Sequence, residues 1–74
     1  MSQVNHSNWR QRAILDLQKA DETGVHYTSV FAVSRADAER MKELIAATTM
    51  RQRKMIPASP EEDLYCFLTD FFRI

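Results

Sequence analysis

Two histidines, one cysteine and ten carboxylates are the groups in this 74-residue chain that bear most directly on catalysis or metal binding. Nucleophilic catalysis needs a thiol or hydroxyl beside a base, acid–base catalysis needs poised partners, and a metal centre needs several ligands at a workable spacing. Cys66 lies in the apolar run Leu64-Tyr65-Cys66-Phe67-Leu68, a setting that favours an inert thiol over a reactive thiolate. His26 sits beside Tyr27 in a second apolar run and reads as a surface or hydrogen-bonded side chain, while His6 and His26 are too scattered to hold a metal ion. Asp70 interrupts the apolar C-terminal run. It reads as an edge charge, with Arg73 or Arg12 as a possible partner. No catalytic, cofactor-binding or metal-ligating residue is assigned, and the chain reads as a non-enzyme without a cofactor.

Two further groupings could bind ligands. Arg51, Arg53 and Lys54 cluster ahead of Pro57. A phosphate patch is conceivable there, but cations at a helix C-terminus compensate its dipole, and no glycine-rich loop accompanies them. Met41, Met50 and Met55 read as core and helix surface rather than as an adaptable groove.

Ten basic and ten acidic side chains cancel, so the chain lacks the electrostatic footprint of a nucleic-acid binder, and direct DNA binding is not expected. The polar N-terminus reads as no signal peptide, and no apolar run suggests a membrane span. A lone cysteine suits a reducing cytoplasm. A core this small, with no disulfide to support it, points to self-association or to attachment to a larger partner.

The elements that would position these residues follow from periodicity. Residues 1–8 read as a flexible arm and residues 9–74 as one domain. Ser7 or Asn8 can cap a helix from about Trp9 to Ala20, with Ala13, Ile14, Leu17 and Ala20 as its apolar stripe and Leu15 off it. Asp21-Glu22-Thr23-Gly24 stops it, with Gly24 suited to a left-handed residue. Val25–Val33 is dense in β-branched and aromatic residues and reads as a strand. Ser34 with Asp37 marks the start of a second helix, about Arg35 to Met55, with a seam at Ala38, Met41, Leu44, Ile45, Thr48 and Met55 that Gln52 interrupts. Pro57 and Pro60 end it. Glu61-Glu62-Asp63 could meet the Arg51–Lys54 cluster across the loop. Leu64–Ile74 reads as a closing strand, with Tyr65, Phe67, Thr69 and Phe71 facing the intrachain core and the opposite face equally apolar.

The expected fold is therefore α+β, in the order helix, strand, long helix, strand, with parallel pairing by a right-handed crossover. Two strands are too few for an independent sheet, so a dimer would complete it. The expected protein interface comprises Val30, Phe31, Leu64, Cys66, Leu68 and Phe72, and the expected partner is a second copy or another protein.

Taken in order, Arg12-Ala13-Ile14-Leu15-Asp16-Leu17-Gln18-Lys19, then Ala32-Val33-Ser34 with Asp37, Met41 and Ile45, then the run from Tyr65 to Phe72 give the chain a resemblance. From about Trp9 to Ile74 it resembles the C-terminal domain of a bacterial family of unknown biochemical function, whose members carry a helix-turn-helix-like N-terminal half and are often labelled transcriptional regulators. The segment between the first helix and first strand is shorter here, and Cys66, Leu68 and Asp70 replace an alternation of amides and aliphatics. The resemblance implies a regulatory setting, with this chain as a self-association and signal-coupling module. The alternative is a stand-alone adaptor that takes a peptide along its sheet edge.

Overall fold

The computed structural model describes residues 3–19 and 23–74. The elements are α1 (Gln3–Gln18), α2 (Arg35–Met55) and a 3-10 turn, Ile56–Ala58. Among the described residues there is no strand, which replaces the expected α+β sheet with an all-α chain. The reason lies in what β-propensity measures. Aromatic and β-branched residues favour a strand because they fit a pleated, half-buried surface, and the preference lapses where no partner completes the ladder. Outside the helices, the backbone–backbone bonds of the described residues run from Lys19 N–H to the Asp16 carbonyl, Ala38 N–H to Ser34, and Ser59 N–H to Ile56. None of them falls in 25–33 or 64–74. Among the described residues there is thus neither a strand pair nor a sheet edge.

The boundaries of α2 match the sequence expectation. Ser34 is extended (φ −68°, ψ 158°), and its Oγ accepts a hydrogen bond of 3.0 Å from the Asp37 backbone N–H. The Asp37 carboxylate accepts from Arg40 at 3.2 Å, and Glu39 pairs with Lys42 at 3.0 Å. Farther along, the Thr48 and Thr49 hydroxyls donate to the carbonyls of Leu44 and Ile45, each at 2.9 Å. These bonds hold threonine inside a helix by turning its hydroxyl back on the preceding turn. Pro57 enters the 3-10 turn at its start, where a missing N–H does no harm, and Ser59 leaves it in an extended conformation. Ser34→Ala is expected to lower helix stability by about 1 kcal/mol, read as an earlier loss of the far-ultraviolet helix signal on heating.

α1 differs more from expectation. It starts at Gln3, so residues 3–8 are helical and not an arm; Met1 and Ser2 lie outside the described residues. It ends at Gln18, two residues before the Ala20 expected, and Ala20, Asp21 and Glu22 are likewise outside. Gly24 is not in the left-handed region. Its need for glycine is steric instead: a Cβ there would stand 2.7 Å from Asp16 Oδ2 and 3.4 Å from His26 Nε2.

The chain divides into two compact units. The first runs to Ser29 and takes in Cys66–Asp70; the second comprises Val30–Tyr65 and Phe71–Ile74. In the second unit Ala38, Met41, Ile45 and Thr49 are half-covered, a line along one face of α2, and Phe71 is half-covered too. The Phe31 and Phe71 rings stack there at 6.2 Å between centroids, with 24° between planes. Leu44 and Met55, expected in the same seam, stay exposed. The half-covered positions of α1 in the first unit are Asn5, Arg10, Ala13 and Asp16, while Ile14, Leu15 and Leu17 are exposed. Of its expected apolar stripe, Ile14 and Leu17 are therefore open and Ala13 half-covered, while Ala20 lies outside the described residues; Arg10 and Asp16, which bond α1 to other segments of its unit, are polar. No described residue is buried.

Candidate functional site

The densest polar grouping lies in the first unit, on the N-terminal half of α1. Arg10 donates from Nε and Nη2 to the two carboxylate oxygens of Asp70, from Nη2 to the Thr69 carbonyl at 3.3 Å, and from Nη1 to the His6 carbonyl at 3.1 Å. Asp70 therefore pairs with Arg10 and not with Arg12 or Arg73. Arg12 is two positions on along α1, about 200° away around the helix, and the same carboxylate cannot reach both faces. Gln3, His6, Ser7, Arg10 and Asp70 line an open hollow of about 550 Å³. Its chemistry is limited, because the fork of Arg10 is already taken up by Asp70. An anionic substrate would have to displace that carboxylate, so the grouping works as a clamp on residues 69–70.

The hydrogen bond from Arg10 is the main cause that holds the Asp70 carboxyl below its ordinary value of 3.8; slight desolvation opposes it, and the charges of Arg10 and His6 add to it. Arg10 is shifted upward by the same bond and is a cation at every pH of interest. A carboxyl whose folded value is depressed contributes stability that is complete above its unfolded value and is lost as pH falls through the folded one. The clamp should thus hold at neutral pH and open only at acid pH below the ordinary carboxyl value, as Asp70 takes up its proton. About half of the Asp70 side-chain surface remains in water, so the effect on global stability is small. It is expected to show as an acid-dependent change in Trp9 fluorescence, one residue from Arg10, which Asp70→Asn abolishes.

A second pair stands at the other end of α1. His26 Nε2 lies 2.8 Å from Asp16 Oδ2, beside Gly24. The carboxylate fixes the imidazole, as the orienting half of a catalytic triad does. Cys66 is a free, exposed thiol in the same unit. Among the described residues no three His, Cys, Asp or Glu side chains gather as a metal site would require.

The six expected interface residues fall in both units. Val30, Phe31, Leu64 and Phe72 belong to the second, and Cys66 and Leu68 to the first. All are exposed except Leu68, which is half-covered. Phe67, assigned from the sequence to the intrachain core, is 60% exposed, so the alternation of a core face and a contact face along 64–74 does not survive the loss of the strand. The Arg51, Arg53 and Lys54 cluster makes no ion pair with Glu61, Glu62 or Asp63 among the described residues. Sequence reasoning missed Arg10 and the Asp16–His26 pair. Arg10 and Asp70 are sixty positions apart, and no local pattern links them; Gly24 between Asp16 and His26 was the one usable signal for the second pair. Among the described residues no helix is long and apolar enough to cross a membrane. No protein-family model matches the chain, and no curated protein or solved structure matches it either.

Proposed function

We infer that this chain is a non-catalytic self-association module, acting in the cytoplasm, that couples a signal or a partner protein to a bacterial transcription-regulator-like protein. The observation that carries the self-association is the combination of 45% hydrophobic residues with no buried one among those described. Val25, Tyr27, Leu64, Phe72 and Ile74 are each at least three-quarters exposed. Apolar surface of that extent belongs to a contact with another chain. The free thiol of Cys66 supports a reducing compartment. The regulatory setting is supported by the order of motifs from Arg12 to Phe72.

Two measurements test the two parts separately. Sedimentation at micromolar concentration is expected to give a dimer, and a monomer that keeps its helix signal would remove the self-association. Fused behind a DNA-binding domain that represses only as a dimer, the chain is expected to restore repression. A fusion that dimerises without repressing would remove the regulatory part. With its charges balanced, the chain alone should give no salt-sensitive shift of duplex DNA.

A further inference from the structure

The heptad positions of α2 carry more information than its exposure. Ala38, Met41, Ile45, Thr48, Gln52 and Met55 recur at spacings of three and four from the first turn of the 21-residue helix to its last residue, the a/d pattern of a helix that pairs with another. Within its unit, α2 has only the short 3-10 turn as a neighbouring regular element. The N-terminal half of the seam is half-covered, while Thr48, Gln52 and Met55 in the C-terminal half are exposed.

We propose that α2 pairs with α2 of a second copy in antiparallel orientation, about a two-fold axis between Ile45 and Thr48. This deepens the self-association reading and rests on it. The partner is argued from layer volumes and charge. In the antiparallel register Ala38 faces the second copy's Met55, Met41 its Gln52, and Ile45 its Thr48, so each layer sets a larger side chain against a smaller or more polar one. Parallel pairing would stack like on like: two alanines in one layer, two methionines in others, and two glutamines together. Even filling of layers is what close packing requires. Charge points the same way. Arg51, Arg53 and Lys54 crowd the C-terminal end of α2; a parallel pair would bring two such clusters side by side, whereas an antiparallel pair sets them at opposite ends. The helix dipoles also oppose each other in that arrangement.

Single cysteines distinguish the orientations. In a Cys66→Ala background, first shown to sediment like the parent, Ala38→Cys and Met55→Cys are made as separate proteins and oxidised mildly. Mixing the two is expected to give a covalent heterodimer, and neither alone should cross-link, because like positions lie about 25 Å apart along an antiparallel pair. Cross-linking of each protein with itself would overturn the antiparallel register in favour of a parallel one. A dimer by sedimentation that cross-links in no combination would overturn the α2 contact while leaving self-association standing. A monomer by sedimentation would overturn both.

Discussion

A hundredfold rise in protein concentration is expected to raise the thermal midpoint of this chain by roughly 5–10 °C. Partner binding stabilises a folded state by mass action, which for a hundredfold change is about 2.7 kcal/mol per dimer, or about half of that per protomer. In a domain of this size each kcal/mol moves the midpoint by roughly 4–8 °C. The physical ground is that neither unit buries a residue among those described, so a protomer alone has little to set against its conformational entropy. Circular dichroism melts at two concentrations are sufficient. A sharp midpoint that does not move would mean that the single chain folds unaided.

Phe71→Ala is expected to cost about 1–2 kcal/mol, less than the 3–5 of a fully buried phenylalanine because its ring is only half-covered. Phe72→Ala, at a position 75% exposed, should cost clearly less in the protomer. The stack with Phe31 adds a coupling that single substitutions do not isolate. A double-mutant cycle on Phe31 and Phe71 should return about 0.5–1.5 kcal/mol, measured by denaturant unfolding at a concentration where association is held constant. Equal costs at Phe71 and Phe72, or a coupling of zero, would remove the stack as the organising contact of the second unit.

What could be read from the sequence was local. The limits of α2 follow from Ser34 and Asp37 at one end and Pro57 at the other, because caps and proline act through bonds within a few residues. Half of its seam, Ala38, Met41 and Ile45, was read correctly for the same reason. The strands at 25–33 and 64–74 were misread because their residue types record only a preference for a pleated surface, and a preference of that kind is settled by what lies across from it. The start of α1 was misplaced through Ser7 and Asn8. Both can cap a helix, but both also lie comfortably on an exposed helical surface, where the propensity cost is a few tenths of a kcal/mol. The Arg10–Asp70 clamp illustrates a different limit. The sequence offers Arg12 and Arg73 as partners for Asp70, and the arginine that pairs with it, Arg10, is sixty positions away on the opposite face of α1 from Arg12.

The lack of backbone–backbone hydrogen bonds in 25–33 and 64–74, among the described residues, has a consequence on the timescale of proton exchange with heavy water. Amides outside any ladder need no opening event before they exchange, whereas those inside α2 must wait for the helix to fray or melt. In the isolated protomer these two segments should label at close to the rate of an unstructured peptide while the middle of α2 lags behind. The lag then reads out the local opening free energy of α2 directly, with the chain's own flanks serving as the zero of the clock.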